Sequence, residues 1–220
     1  MKCLLCAGVK TDRFSRRSRS TTEEKIYFMC ATCGLIFLDP AFHLAPAQEK
    51  ARYDSHQNDP SDPRYRTFLR QVTEPLCALL SAPSRGLDFG SGPGPAIGEL
   101  MAENGHTVEN YDPFYAPDAS ALGQRYDFIT CTETAEHFYR PAREFSLIDK
   151  LLSGHGILAL MTNLFDPRKL DFARWWYADD PTHVCFYSLQ TMVWLSEAFA
   201  WQMRPQAQNV VFFKKGGAFV

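Results

Sequence analysis

Three glycines on alternate positions, Gly90, Gly92 and Gly94, constrain this chain more than any other feature of its sequence. They follow a short apolar run, Arg85 to Phe89, that is typical of a buried strand, and a segment with helical spacing comes next. A strand, a tight glycine turn and a helix open a nucleotide-binding unit in an α/β sheet. Glycine suits such a turn because a ligand can approach a backbone that has no Cβ. The alternative is a glycine-rich surface turn without a ligand.

The spacing of these glycines argues against a dinucleotide. The fingerprint Gly-x-Gly-x-x-Gly needs its third glycine at position 95, which is Pro95. A Gly-x-Gly-x-Gly turn with an acidic residue two positions before it, here Asp88, resembles motif I of class I S-adenosylmethionine (SAM) methyltransferases. In that family the acidic residue lies near the methionine end of SAM. The resemblance implies a cofactor site that contains Asp88, Gly90, Ser91, Gly92 and Gly94.

A second strand, His106 to Tyr111, leads into Asp112 and Pro113. Asp112 lies about 20 residues beyond the turn, where an acidic residue at the end of the second strand accepts hydrogen bonds from ribose hydroxyls. A carboxylate suits this role because it can accept from two hydroxyls at once. The alternative is a cap of a helix or turn, which the proline next to it would also fit. We predict that Asp112 and Pro113 belong to the cofactor site.

Strands and helices alternate through the rest of the chain. Tyr126 to Cys131 is a clear strand, and Thr132 and Glu133 follow at its carboxyl end, where open α/β sheets bind ligands. Residues 114–125 contain no good apolar run, so the third strand is expected to be truncated. Residues 163–187 are an insertion, and a helix and an antiparallel hairpin end the chain. The pattern predicts an α/β fold with a Rossmann-like, seven-stranded sheet of the methyltransferase type.

Two Cys-x-x-Cys pairs, Cys3 with Cys6 and Cys30 with Cys33, predict a small zinc ribbon at the start of the chain. Tetrahedral zinc needs four thiolates, and a two-residue spacer lets one tight turn offer two of them. The alternatives are four unligated buried cysteines and a redox pair. The redox pair is disfavoured because no βαβ context surrounds either motif.

Composition sets the outer limits of the interpretation. The 220 residues carry a formal net charge of −2, so nothing global points to nucleic acid. No apolar run reaches the roughly 18 residues of a membrane span, and no signal peptide is expected. Seven cysteines, four of them paired in sequence, indicate metal and reduced thiols in a cytoplasm. We divide the chain into a ribbon (1–40), a linker with an entrance helix (41–83) and a methyltransferase domain (84–220).

Arginines cluster at the predicted tip of the ribbon. Arg16, Arg17 and Arg19 could hold RNA phosphates. A solvated loop is the simpler explanation, because few aromatics interleave with them and the rest of the chain is not basic.

Nearly the whole chain resembles class I SAM methyltransferases that carry an N-terminal four-cysteine zinc ribbon. These enzymes belong to the broad type that is grouped with ubiquinone-biosynthesis-like methyltransferases. The motifs are specific for SAM binding, but they say little about the substrate, because one fold hosts many acceptors. The resemblance rests on the paired cysteines with Cys33 to Pro40, Leu87 to Gly94, Tyr111 to Phe114, Glu136 to Phe138, Leu152 with Gly156, and Asp180 to Tyr187.

Two histidines are candidate general bases for methyl transfer, since the pKa of histidine lies near working pH. His137 follows the fourth strand, and His183 lies in the aromatic insertion. The alternative for each is a structural hydrogen bond. Trp175, Trp176 and Tyr177 either line an acceptor pocket or bury the insertion, and Tyr53 and His56 are weaker candidates for a lid.

The sequence therefore predicts a SAM-dependent methyltransferase with structural zinc that acts on a small or medium organic acceptor. One alternative keeps the enzyme but makes the acceptor RNA, held by the ribbon and its arginines. A second alternative is a SAM-binding interaction protein without catalysis.

Overall fold

The computed structural model describes residues 1–18, 23–55, 58–81 and 83–219. Arg19 and His56, candidates for RNA and lid contacts, lie outside these ranges. Within the ranges the chain forms ten strands in two sheets and five α-helices. In chain order they are β1 (Thr11–Arg17), β2 (Glu24–Cys30), β3 (Ile36–Leu38), α1 (Pro46–Asp54), α2 (Pro63–Cys77), β4 (Arg85–Phe89), α3 (Ile97–Ala102), β5 (Thr107–Tyr111), β6 (Tyr126–Thr132), α4 (Pro141–Leu151), β7 (Leu152–Met161), β8 (Cys185–Phe186), α5 (Leu189–Ala198), β9 (Trp201–Ala207) and β10 (Val210–Lys215).

The large sheet has the strand order β5-β4-β6-β7-β10-β9. Its first four strands are parallel, and β10 runs antiparallel between β7 and β9. The carboxyl ends of β4, β5 and β6 therefore meet at one edge, where the glycine turn begins. This arrangement confirms the predicted α/β class and the antiparallel hairpin at its end.

The sheet has six strands in the described residues, not the seven expected. Between β5 and β6 the chain forms a single bridge, Asp112 to Ala116, and then a 3-10 helix, Ala119–Gly123. Pro117 has no N–H to donate to a ladder, and Asp118 caps the 3-10 helix by accepting from the Ser120 N–H. The truncated third strand is thus no strand at all, and β5 forms the edge of the sheet.

The segment 41–62, interpreted from sequence as a linker, contains helix α1 (Pro46–Asp54). Helix α2 is the predicted entrance helix, and the Asp62 carboxylate caps its start by accepting from the Arg64 N–H. Pro75 lies inside α2, which continues to Cys77. No helix in the described ranges combines the length and the apolar character that a membrane crossing requires.

The N-terminal ribbon is built into the main fold. The second sheet has the order β1-β2-β3-β8, so its fourth strand comes from the insertion between β7 and α5. Buried residues of the ribbon also belong to the same apolar cluster as α4, α5 and one face of the large sheet. Helices α2 and α3 cover the other face.

Candidate active site

The carboxyl ends of β4, β5 and β6 open into a cavity of about 680 Å³. This volume falls in the range of small-molecule and cofactor sites. Its wall includes four residues of the glycine turn, the chain after β5 and the chain after β6, and α1 and α2 cover one side. The predicted site residues in the wall are Gly90, Ser91, Gly92, Asp112, Pro113, Thr132, Glu133, His137 and His183.

The three glycines serve different purposes. Gly90 has a φ of +83°, and a Cβ on it would lie 2.1 Å from Cγ2 of Thr134. Gly92 has a φ of +63°, and a Cβ there would meet no described atom within 4 Å, so this backbone faces open space. Gly94 lies outside the cavity wall, where a Cβ would lie 2.0 Å from the backbone oxygen of Asn58. Gly90 and Gly92 shape the turn. At Gly94, the absence of a side chain lets the chain before α2 pass close to the turn.

Asp88 is buried in β4 behind the cavity wall. The Thr130 hydroxyl donates to its carboxyl at 2.8 Å. Burial, together with the charge of Asp112, raises the pKa of Asp88 to about 7. The structure therefore places Asp88 beneath the turn, and a contact with a cofactor remains a prediction.

Asp112 both caps a turn and faces the cavity. Its Oδ1 accepts from the N–H groups of Phe114 and Tyr115, at 2.8 and 3.0 Å. Its Oδ2 accepts from the Gly92 N–H at 3.0 Å. Each carboxylate oxygen has two lone pairs, so Oδ2 can accept once more, from the cavity side. The capping role is observed, and the ribose role stays a prediction.

Four buried polar side-chain atoms in the cavity wall have no hydrogen-bond partner among the described residues. A buried polar atom without a partner costs free energy, and such atoms in a native structure call for a ligand or water. The wall is thus suited to a polar ligand. The atoms are Ser91 Oγ, Thr132 Oγ1, Glu133 Oε1 and Glu136 Oε2.

The Tyr177 hydroxyl joins the two glutamates after β6. It donates to Glu136, which is fully buried, and lies 3.4 Å from Oε2 of Glu133. Burial and the charge of Glu136 raise the pKa of Glu133 to about 8. Glu133 also has a φ of 48°, an uncommon backbone conformation for a residue other than glycine. This corner of the cavity therefore holds a proton at neutral pH.

His137 and His183 meet in the wall, with ring centroids 4.8 Å apart. Nδ1 of His137 lies 3.0 Å from the Thr182 carbonyl, and Nδ1 of His183 lies 2.6 Å from the Tyr177 carbonyl. A carbonyl only accepts, so each Nδ1 carries the proton, and in the neutral ring Nε2 carries the lone pair. Burial lowers the pKa of His137 to about 4. This imidazole is neutral at neutral pH.

The same histidines and Glu136 bring one ligand-type atom each within 4.8 Å of one another. Two imidazoles and a carboxylate are a ligand set that divalent transition metals accept. The corner can therefore serve proton transfer or hold a cation.

The aromatic residues of the insertion do not form a pocket wall. Trp175 and Tyr177 are buried, and Trp176 is 63% exposed. The cavity is instead lined on this side by Glu49 of α1, which sequence analysis did not select, and by Tyr65 of α2, the predicted entrance helix. Tyr53, the lid candidate, does reach the site and packs edge-on against His137 at 5.1 Å.

The four cysteines of the ribbon converge as predicted. Their sulfur atoms all lie within 4.8 Å of one another, with 3.6 Å between Cys3 and Cys33 and 3.4 Å between Cys6 and Cys30. A tetrahedral zinc–thiolate site with bonds of about 2.3 Å has sulfur atoms about 3.8 Å apart. No disulfide links them, so the cluster fits zinc.

The structure separates the arginines of the ribbon. Arg16 is 3% exposed, and its guanidinium is bonded to the insertion. Arg17 is exposed. Arg16 is therefore not available to RNA phosphates.

Taken together, the α/β sheet with its terminal hairpin and the glycine turn at one edge define a class I methyltransferase fold. The chain matches the family described as methyltransferase domain over residues 61–206, more than half of its length. It therefore belongs to this family. No curated protein sequence matches it.

One solved structure agrees with this fold at a TM-score of 0.50. The 1,6-didemethyltoxoflavin-N1-methyltransferase of Burkholderia thailandensis, solved with 1,6-didemethyltoxoflavin and S-adenosylhomocysteine, is 16% identical with a TM-score of 0.50, over 88% of this chain and 96% of that chain. Two other similarities are weaker. An O-methyltransferase family protein from B. thailandensis is 13% identical over 80% of this chain and 63% of that chain, with a TM-score of 0.49. A TehB-like SAM-dependent methyltransferase from Corynebacterium glutamicum is 15% identical over 78% of this chain and 100% of that chain, with a TM-score of 0.45. At such identities the first similarity shows the fold alone.

Proposed function

We propose that this protein transfers a methyl group from SAM to a small or medium organic acceptor. The observation that carries the proposal is the set of unpaired buried oxygens in the cavity wall, beside the open backbone of Gly92 and the carboxylate of Asp112. SAM has hydroxyl and ammonium donors to satisfy such oxygens. When bound, it supplies an electrophilic methyl group on a positively charged sulfur.

The residues of the chain bind and orient the reactants in this proposal. Asp112 accepts from the ribose hydroxyls, while the backbone of Gly90 and Gly92 approaches the cofactor closely. Ser91, Thr132 and Glu133 satisfy polar groups of the cofactor. Most of the rate of such a displacement comes from holding the acceptor in line with the methyl group.

Proton removal falls to the histidine pair. Each imidazole has Nδ1 fixed by a backbone carbonyl, so Nε2 is the atom that takes the acceptor's proton. The buried carboxyl of Glu136, within 4.8 Å, stabilises the imidazolium that forms. His137 and His183 are thus the candidate bases.

The four cysteines hold one structural zinc ion in this proposal. The sulfur distances given above fit four thiolates, and a closed site of four cysteines leaves no position for catalysis. The ion would contribute to folding and not to chemistry. Metal analysis of protein purified without chelators should find one zinc per chain, and a chain without metal would overturn this part.

The decisive experiment combines binding with transfer. Calorimetry should show that SAM and S-adenosylhomocysteine bind. Asp112→Asn removes the charge that accepts from the ribose hydroxyls and should weaken this binding at least tenfold, which corresponds to about 1.4 kcal/mol. Asp118→Asn, at an exposed cap in the following turn, is the matched control. Label from methyl-labelled SAM, incubated with fractionated cell extract, should enter the small-molecule fraction.

Two outcomes would contradict the proposal. Absence of SAM binding by the unmodified protein would remove the cofactor. Label in RNA or protein alone would leave methyl transfer standing and overturn the small-molecule acceptor.

A further inference from the structure

Among the described residues, the guanidinium of Arg16 makes more hydrogen bonds from the ribbon to the rest of the protein than any other side chain. It reaches across from β1 and is 3% exposed. A guanidinium offers five N–H donors in a fixed plane, and here three backbone carbonyls and one carboxylate accept from it. The contacts are Nε to Phe172 O at 3.1 Å, Nη1 to Ala178 O at 2.9 Å, Nη2 to Trp175 O at 3.0 Å and Nη2 to Asp179 Oδ1 at 2.7 Å.

All four acceptors lie on one short stretch, residues 172–179, which forms two 3-10 helices. Two of the carbonyls also accept a backbone N–H from within the segment, Phe172 O from Trp175 at 3.4 Å and Trp175 O from Ala178 at 3.2 Å. Arg16 adds donors from outside the segment to these two carbonyls and to Ala178 O. Without Arg16, each of these four acceptors would lose one donor, and a space the size of the guanidinium would be left in a partly buried segment.

The same stretch holds the catalytic corner of the cavity in place. Its Tyr177 carbonyl accepts from Nδ1 of His183 at 2.6 Å, and its Tyr177 hydroxyl donates to Glu136. Arg16 bonds the residue directly after Tyr177, at the Ala178 carbonyl. The orientation of the histidine and the carboxylate therefore depends on a segment that the ribbon fixes.

A second set of bonds fixes the other side of His183. Strand β8, which begins two residues after this histidine, pairs with β3 of the ribbon. The Leu38 N–H donates to Val184 O at 2.8 Å, and the Val184 N–H donates to Glu136 O at 2.8 Å. The ribbon thus restrains the chain both before and after His183.

We propose that Arg16 is a positioning residue, which fixes the direction and tautomer of His183 through residues 172–179 and so makes the ribbon part of the acceptor side of the site. This inference rests on the proposed methyl-transfer function. It assigns the ribbon a role in the geometry of the site, in addition to that of a folding unit.

The test replaces Arg16 and reads the imidazole directly. In a nitrogen-15 spectrum of the histidine rings, His183 of the unmodified protein should show a protonated Nδ1. In Arg16→Met this signal should give way to a mixture of tautomers, and methyl transfer to the small-molecule fraction should fall at least tenfold. Binding of S-adenosylhomocysteine should stay within twofold, and zinc should stay at one per chain.

Matched variants keep the test decisive. Arg13→Met changes an exposed arginine on the same strand, on the opposite face, and should leave the His183 signal unchanged. If Arg16→Met fails to fold, Arg16→Lys and Asp179→Asn take its place, and each should show part of the tautomer change.

The inference fails if the variants fold and His183 keeps its Nδ1 proton as in the unmodified protein, or if Arg13→Met has the same effect. These results are distinct from failure of the proposed function, which would appear as loss of SAM binding by the unmodified protein while the spectrum of His183 still responds to Arg16.

Discussion

Asp88 shows how a single carboxyl can couple the stability of this fold to pH. It is buried in the strand before the glycine turn, with a pKa of about 7 against an unfolded value of 3.8. Between these values the folded state keeps a proton that the unfolded state has lost. The free energy of unfolding therefore falls as the pH rises from about 4 to 7 and levels off above that.

Asp88→Asn should remove this dependence. At 1.36 kcal/mol per pKa unit, the variant should gain up to about 4 kcal/mol relative to the unmodified protein between pH 4 and 7.5. Urea unfolding at several pH values measures the difference. Asp118→Asn, at an exposed carboxyl, should show no such gain between pH 5 and 7.5. Parallel pH curves for Asp88→Asn and the unmodified protein would contradict the prediction.

We expect Tyr177 to stabilise the fold through the hydrogen bond that its hydroxyl donates to the Glu136 carboxylate. Tyr177→Phe removes the hydroxyl that donates to the fully buried Glu136. We expect a loss of about 2 kcal/mol in the free energy of unfolding, the usual cost of leaving a buried charged group short of a donor. Urea unfolding checks it. Trp176→Phe, at a residue 63% exposed, should change stability little, and equal midpoints for both variants would refute the expectation.

At the residue scale, sequence analysis found what is local in the chain. The turn at Gly90, the carboxylate of Asp112 and the polar tail after β6 follow from motif spacing and the carboxyl-end rule. Tyr177 was considered as an acceptor contact, but its bond to Glu136 joins segments far apart in sequence and no spacing rule reveals it. The packing of Gly94 against Asn58 is likewise a tertiary contact that motif spacing does not reveal.

At the element scale, the strands of the large sheet and its hairpin were predictable, whereas β1, β8 and helix α1 were not. The sequence of α1 is mostly polar, and its one buried residue is Glu49, so no apolar stripe marks it. Its place in the fold comes from contacts outside itself. Arg52 donates to Asp180 at 2.6 and 3.1 Å, and the Tyr115 hydroxyl donates to Asp54 at 2.6 Å.

Arg52→Met should release α1 from the insertion. Burial alone would raise the pKa of Asp180, but hydrogen bonds, with Arg52 the largest contributor, hold that pKa well below its usual range. Loss of this partner should raise amide hydrogen exchange in residues 46–54 and speed dissociation of S-adenosylhomocysteine several-fold. Mass spectrometry and stopped-flow measurements test the two effects.

Arg64→Met is the control for α1, because Arg64 bonds to Asp62 at the exposed start of α2. It should leave exchange in residues 46–54 unchanged. Identical exchange there in Arg52→Met and the unmodified protein would show that the ion pair does not hold the helix.

At the scale of the whole molecule, the predicted ribbon and the predicted methyltransferase domain are in contact with each other. The ribbon shares a sheet with the insertion and an apolar cluster with α4 and α5. Sequence could not indicate this, because two-residue β8 carries no strand signal of its own.

Removal of residues 1–39 should therefore damage the remaining protein. The truncated chain would expose the edge of β8 and the apolar faces that the ribbon covers. We expect loss of near-ultraviolet circular dichroism and of a cooperative urea transition. A truncated protein that unfolds cooperatively at the original midpoint would establish the ribbon as an independent domain.

The pairing of β3 with β8 also has a consequence for biosynthesis. β1 to β3 are synthesised before the fourth strand of their sheet, β8, which emerges only after β4 to β7 have been made, several seconds later at ordinary rates of translation. Until then β3 presents an open edge flanked by buried apolar residues. An unpaired strand edge is prone to wrong pairing, so we expect chaperones to act on β3 until β8 has been synthesised.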